Sequence, residues 1–117
     1  MKRLLATALV GFVACTRVAS AASYTPVDCA KAAIPAEKTI CGNYALGQAE
    51  ARTATLFGIA TSLVAMGQRA DIGDAQRQWL QKRDTCGRNI GCLAQAYNDR
   101  IQQLNKVIDD IASRGPY

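Results

Sequence analysis

The cysteines constrain the fold of this chain more than any other feature. Its 117 residues include five of them, of which Cys15 lies at the end of an N-terminal apolar segment. The other four, Cys29, Cys41, Cys86 and Cys92, follow that segment. An even number of cysteines in a small exported chain predicts disulfides rather than free thiols. We therefore expect two disulfides in a domain whose apolar core is modest.

The first residues are typical of an export signal. Lys2 and Arg3 precede an apolar run over residues 4–14, which is too short to span a bilayer. Residues 19–21 (Ala-Ser-Ala) then provide the small side chains that signal peptidase requires. The pattern predicts a chain that leaves the cytoplasm.

Two outcomes of export are open. Cleavage after the small residues predicts a signal peptide over 1–21 and a single helical domain over 22–117. Alternatively, residues 12–15 (Phe-Val-Ala-Cys) end the apolar run as a lipobox does, and Cys15 then carries a lipid anchor. We expect a periplasmic or extracellular protein, with an outer-membrane or surface lipoprotein as the alternative, and no membrane span.

The positive charge belongs largely to the leader. Without Lys2, Arg3 and Arg17, the 14 basic residues fall to 11 against 9 acidic ones, so the net charge falls from +5 to +2. Such a small excess, spread along the chain, is not the footprint of a nucleic-acid-binding protein. We expect no nucleic-acid partner.

Four cysteines allow three disulfide pairings, and the sequence alone does not choose between them. We favour Cys29–Cys41 and Cys86–Cys92, because each pair closes a short segment that contains turn-forming residues. A zinc site is disfavoured because the paired cysteines are separated by eleven and five residues and the chain has no histidine. We expect neither a metal nor another cofactor.

Apolar residues at helical spacing predict an all-α fold. We expect a small antiparallel bundle of about three helices, near residues 45–66, 74–86 and 91–113. The third helix has the clearest apolar seam, and its members are Leu93, Tyr97, Ile101, Leu104, Ile108 and Ile111. Arg100 is predicted to lie off this seam.

The connecting segments carry turn and capping signals. Pro35 predicts a short helical turn with Glu37 in its first turn and Ile34, which cannot cap, at the N-cap position. Residues 67–73 are predicted to form a turn in which Asp71 caps the following helix.

The residue inventory argues against catalysis. There is no histidine to act as a general base, no Gly-rich phosphate loop and no metal-ligand cluster, and the cysteines are expected to be oxidised. The only adjacent carboxylates, Asp109 and Asp110, fall on a helix end where solvation is expected. We predict that the protein is not an enzyme.

The candidate partner-binding residues are Trp79, Arg83 and Asp84. One interpretation makes Trp79 a core anchor, and the other makes it a partly exposed hot spot, because Trp and Arg are favoured in binding interfaces. Arg83 follows one helical turn later, so its guanidinium can stack on the indole or pair with a carboxylate.

Two blocks of sequence resemble the LprI-type lysozyme-inhibitor domain, a family of small exported bacterial proteins. The first comprises residues 28–32 (Asp-Cys-Ala-Lys-Ala) and 35–41 (Pro-x-Glu-Lys-x-Ile-Cys). The second comprises residues 76–86 (Gln-x-x-Trp-x-x-x-Arg-Asp-x-Cys), followed by Cys92, Tyr97, Arg100 and Leu104. The similarity covers residues 28–108.

The resemblance implies an all-helical, disulfide-stapled domain that, in the named member type, inhibits lysozyme in the envelope. We expect such inhibition to work by occlusion, with Trp79 or Arg83 near the centre of the contact. An acidic rim that includes Glu37, Glu50 or Asp84 would complement a cationic lysozyme. The alternative is a structural or stress-related periplasmic protein with no lysozyme activity.

Overall fold

The computed structural model describes residues 26–114, which form four α-helices and no strand. The helices are α1 (Pro35–Gly42), α2 (Tyr44–Ser62), α3 (Met66–Asp84) and α4 (Ile90–Ala112), and residues 26–34 form an arm before α1. This confirms the all-α class. No helix in this range is long and apolar enough to cross a membrane. The predicted signal peptide and Cys15 lie outside the described residues.

The three long helices form an up-down-up bundle with two apolar clusters. The first cluster lies at the beginning of α2 and α4 and the end of α3, and it contains Ala36, Ile40, Leu46, Trp79, Leu93 and Tyr97. The second lies at the opposite end, and it contains Phe57, Ala60, Val64, Ile72, Leu104 and Ile111. The short connections make consecutive helices antiparallel, so α2 and α4 run in the same direction.

The expected count of about three helices is one too low, because the turn predicted at Pro35 is a helix of eight residues. This helix buries Ala36 and Ile40, and burial of an apolar face compensates for its short length. Its N-cap residue, Ile34, makes no side-chain cap bond. Instead, the carboxylate of Glu37 accepts a hydrogen bond of 3.0 Å from the backbone N–H of Ala33.

The turn predicted over residues 67–73 is wrong, because this segment is the beginning of α3. Arg69 explains the early start: its guanidinium donates to the carbonyl oxygens of Thr61, at 2.8 Å, and Val64, at 3.1 Å. The first bond satisfies one of the last carbonyls of α2, the second satisfies a carbonyl of the connection, and together they hold the first turn of α3 against the end of α2. Asp71 lies exposed inside the helix and caps nothing. The true N-cap is Ala65, which makes no side-chain cap bond.

Both predicted disulfides are present, and each lies beside an asparagine cap. Cys29–Cys41 and Cys86–Cys92 each join Cα atoms 5.6 Å apart. Asn43 caps α2 by accepting from the N–H of Leu46, and Asn89 caps α4 by accepting from the N–H of Cys92. Gly87, between α3 and α4, has a φ of +57°, a conformation that favours glycine. The four cysteines therefore stabilise the end of the bundle that contains the first apolar cluster.

Candidate functional site

The interior of the bundle contains charged and polar residues at helical core spacing. On α2, buried residues follow at steps of four and three: Leu46, Glu50, Thr53, Phe57 and Ala60. On α3 the same spacing relates Ile72, Gln76, Trp79 and Arg83. On α4 it relates Leu93, Tyr97, Arg100 and Leu104. Five of these positions are therefore polar, although their spacing is that of apolar knobs in a helical bundle.

Trp79 anchors α3 against α4. Its side chain is only 7% exposed, and its indole N–H donates to the carbonyl oxygen of Ala96 at 2.9 Å. Its ring meets that of Tyr97 edge-to-face, with 5.3 Å between the centroids. The guanidinium carbon of Arg83 lies 5.7 Å from the indole centroid. Trp79 thus joins the apolar cluster to a charged one.

The charged cluster, which we call the Arg83 cluster, consists of Arg83, Glu50, Asp84 and Tyr97. Arg83 is 3% exposed, and its Nη1 lies 3.4 Å from a carboxylate oxygen of Glu50. Its Nε and Nη2 donate to one oxygen of Asp84, at 2.9 and 2.7 Å. The hydroxyl of Tyr97 donates to Glu50, which also accepts from the N–H of Val27 at 3.1 Å. Every charge in the cluster therefore has an opposite charge or a donor beside it.

The surroundings shift the pKa of two members of this cluster. Burial disfavours the charged form of Arg83, but the hydrogen bonds that Arg83 donates to Asp84 and the nearby negative charge raise its pKa above the usual value overall. Burial, followed by the charge and hydrogen bond of Glu50, raises the pKa of Tyr97 far above its usual value. Tyr97 thus remains a neutral donor and Arg83 a permanent cation.

A second polar group, the Arg100 cluster, comprises Arg100, Gln76 and Gln103. Arg100 is 4% exposed, and its Nε donates to the side-chain oxygen of Gln76 at 2.7 Å. Its Nη1 donates to Gln103 at 3.0 Å, and its Nη2 lies 3.5 Å from the carbonyl oxygen of Ile72. Within residues 26–114 Arg100 forms no ion pair. Burial lowers its pKa.

The predicted site residues are brought together, but two of them face inward. Trp79 and Arg83 lie in the interior, which matches the interpretation of core anchor and internal salt bridge, and Asp84 is the more accessible member, with 35% of its side chain exposed. Partner binding by these three residues stays a prediction. Their contacts in the structure are internal and stabilise the packing of α3 against α2 and α4.

The acidic residues considered for a rim do not form an exposed group. Glu50 is 4% exposed, and its carboxylate shares the Arg83 guanidinium with Asp84. Glu37 lies on α1, where it binds the backbone of the arm. Arg83 pairs with two of the three carboxylates and its single charge offsets one of them, so the three residues offer less negative potential to a cationic partner than three free carboxylates would.

Three core residues escaped the sequence interpretation: Glu50, Gln76 and Arg100. Arg100 was placed off the α4 seam, yet it is buried, whereas Ile101 is only half-buried. The signal was spacing: Gln76 lies three residues before Trp79, and Arg100 three residues after Tyr97. A helical pattern defined only by apolar residues does not include these buried polar positions.

Two surface concavities adjoin these clusters. The larger, which we call the arm groove, has a volume of about 760 Å³ and lies between the arm, α1 and α2. Its walls include Pro26, Val27, the Cys29–Cys41 disulfide and Tyr44, a residue that is 84% exposed. The smaller, the α3–α4 cleft, has a volume of about 260 Å³.

All four described cysteines are in disulfides, and no group of three metal-ligating side chains occurs within residues 26–114. The chain matches no family model, no curated protein and no solved structure. The resemblance to the LprI-type domain therefore stays a prediction from the sequence blocks given above.

Proposed function

We propose that this chain is an exported, LprI-like binding protein that acts by occluding a protein partner, with lysozyme as the first candidate. The observation that carries the proposal is the arm groove, a concavity of about 760 Å³ with an exposed tyrosine at its edge. Ligand sites are typically concave, mostly apolar and about 300 to 1,000 Å³ in volume. Exposed aromatic side chains at such a rim are typical anchors of protein interfaces.

Rigidity supports the assignment of the groove. The Cys29–Cys41 disulfide ties one wall to α1, and Val27 in the same arm donates its N–H to Glu50 of α2. A wall held at two points loses little conformational freedom when a partner binds, so more of the contact energy contributes to affinity. Export is supported by the two disulfides, which persist in oxidising compartments.

The residues that line the groove predict a mainly apolar interface with the partner, rather than an acidic one. Glu50 is the only Asp, Glu, Lys or Arg among the lining residues, and that side chain is buried. An interface centred on Tyr44 would therefore be mainly apolar, and its affinity would depend only weakly on salt, because screening acts on exposed charges. This differs from the acidic rim expected from the sequence, for which inhibition weakens as salt rises.

The test is a lysozyme activity assay with the oxidised, exported protein in molar excess. We expect stoichiometric and reversible inhibition, and we expect Tyr44→Ala to weaken it by roughly tenfold or more, as loss of a hot-spot residue does. Met66→Ala is the matched control, because Met66 is 82% exposed and lies at the opposite end of the bundle. Circular dichroism verifies that both variants fold.

Two results would contradict this proposal. If lysozyme remains fully active in a high molar excess of the protein, the protein is not a lysozyme inhibitor. Equal effects of Tyr44→Ala and Met66→Ala remove the arm groove as the binding surface. The alternative, a structural or stress-related envelope protein without lysozyme activity, is supported by the burial of Trp79 and Arg83, since both residues serve the fold.

A further inference from the structure

The α3–α4 cleft lies on a different face from the arm groove and has a different composition. Its lining comes only from α3 and α4, and it includes Trp79, Lys82, Asp99 and Arg100. Alanines at positions 75 and 96 form part of its wall. At about 260 Å³, it is slightly smaller than typical sites for drug-sized molecules, which start at about 300 Å³. It fits a small group with an apolar body and one charged end.

The charged end is indicated by Arg100. Buried charges in proteins are normally paired with an opposite charge, because desolvation of an unpaired ion is costly. Arg100 is 4% exposed, yet its partners within residues 26–114 are two amide oxygens and one backbone carbonyl. A guanidinium has five N–H donors, so two remain beyond the three contacts described.

A second cation lies at the same cleft. Lys82 is exposed and forms no ion pair within the described part of the chain. The only carboxylate in the lining is Asp99, which accepts a hydrogen bond of 2.7 Å from Gln95. Asp99 is therefore held toward its own helix, and neither cation pairs with it.

We infer that the α3–α4 cleft binds a carboxylate, which contacts Arg100 and Lys82 while its apolar part packs on the edge of Trp79. A planar carboxylate matches the donor geometry of a guanidinium, and the apolar wall of Ala75, Trp79 and Ala96 favours an anion that carries an apolar body over inorganic phosphate. The carboxylate can belong to a free organic acid or to a Glu or Asp side chain of a protein. The inference does not depend on the lysozyme proposal, since it concerns another face of the bundle.

The only tryptophan of the chain lines this cleft, so its fluorescence reports occupancy directly. Benzoate titrated into the oxidised protein should produce a saturable change in emission, and benzamide, which has the same shape without the charge, should not. N-acetylglutamate amide and N-acetylglutamine amide form a second matched pair. A response to both acids means that the cleft accepts side-chain carboxylates too, and a response to benzoate alone restricts it to free acids.

Variants test the contacts. Lys82→Gln should weaken benzoate binding roughly two- to fivefold, as for an exposed ion pair, and Arg100→Met by roughly tenfold or more, as for hydrogen bonds to a charged group. Asp99→Asn should tighten binding, because it removes the competing negative charge. Lys38→Gln is the control, because Lys38 is an exposed cation on α1 that does not line the cleft.

Three results overturn the inference. The first is the absence of saturable binding of benzoate and of N-acetylglutamate amide to the wild-type protein. The second is a Lys82→Gln variant that binds as the Lys38→Gln variant does, which is decisive even if Arg100→Met fails to fold. The third is inorganic phosphate binding as tightly as benzoate, which would mean that the cleft does not select carboxylates.

Discussion

Two buried arginines of this bundle have nearly the same depth and opposite electrostatic surroundings. Arg83 and Arg100 are 3% and 4% exposed. Arg83 contacts two carboxylates, of Glu50 and Asp84, whereas Arg100 contacts only uncharged oxygens within residues 26–114. Depth alone therefore does not reveal the role of a buried cation. Ion pairing does: the arginine that pairs with carboxylates stabilises the fold, and the arginine that forms no ion pair within residues 26–114 lines a cleft.

The orphan donor in the Arg100 cluster strengthens the contrast. The side-chain nitrogen of Gln76 is buried and has no hydrogen-bond partner within the described residues. Arg100 Nε requires an acceptor, so it fixes the oxygen of Gln76 toward itself and leaves the nitrogen without one. Such an unsatisfied group costs about 1 to 3 kcal/mol. The Arg100 cluster is thus maintained at some expense in stability.

The largest expected effect comes from making the same substitution at both arginines. Arg83→Met leaves the Glu50 carboxylate buried without its cation, and breaking a buried ion pair in this way costs about 3 to 5 kcal/mol. Arg100→Met strands no carboxylate, and its cost is limited to about 1 to 3 kcal/mol for the acceptors that lose a donor. Urea unfolding of the oxidised variants measures both values.

Equal costs for the two variants would break the comparison. A third variant sharpens it: Gln76→Leu combined with Arg100→Met removes both partners of the buried hydrogen bond. Replacing both partners by apolar groups is nearly neutral or stabilising. We expect this double variant to be more stable than Arg100→Met alone, and a further loss of stability would contradict that expectation.

The second-largest effect is the loss of stability on removing the disulfide of the arm, which should be coupled to the Arg83 cluster but not to the Arg100 cluster. Removing the Cys29–Cys41 disulfide by Cys→Ser substitution at both positions should cost about 3 kcal/mol in the chain-entropy model. Because Val27 in the arm donates to Glu50, the loss should be non-additive with Arg83→Met. It should be additive, within about 0.5 kcal/mol, with Arg100→Met. A double-mutant cycle by chemical denaturation provides the values, and identical coupling to both arginines would contradict the separation.

The smallest effect is a loss of stability at high pH. Burial raises the pKa of Tyr97 in the folded state, so the unfolded chain releases this proton at a lower pH, near its ordinary value of about 10. Above that pH the unfolded state binds fewer protons, and the free energy of unfolding falls by at most about 1.4 kcal/mol per pH unit from this group. Below it the contribution is fully present.

Tyr97→Phe is the control for this pH effect. The variant should be less stable at neutral pH, because Glu50 loses a donor, and its stability should decline less steeply above the pKa of an ordinary tyrosine. Denaturation curves across alkaline pH measure both slopes. An unchanged slope in Tyr97→Phe would mean that other groups cause the decline.

The sequence predicted α2, α4 and the disulfides, but it did not predict the polar interior. Regular apolar spacing predicted α2 and α4, and short cysteine separations predicted both disulfides. The burial of Glu50 and Arg100 was not predicted, because charged residues are ordinarily expected at the surface. The partner of Glu50 is Arg83 and the partner of Arg100 is Gln76, which lie 33 and 24 residues away on α3. Only the packed bundle shows that these buried polar side chains have hydrogen-bond partners.

The beginning of α3 shows a different limit of sequence interpretation. Gly67, Gly73 and Asp71 are residue types that favour a turn, and on local preference alone they predict one. Tertiary contacts overrode it, because Arg69 binds the end of α2 and Ile72 enters the second apolar cluster. Local propensity is a weak guide where a long side chain can satisfy the carbonyls of a neighbouring helix.

The two disulfides have a consequence for the order in which the molecule is made. Each joins cysteines that are close in sequence, with separations of 12 and 6 residues. In a chain that enters an oxidising compartment from its N-terminus, Cys41 meets Cys29 before Cys86 or Cys92 has arrived. Export as proposed above would therefore favour the native Cys29–Cys41 pair.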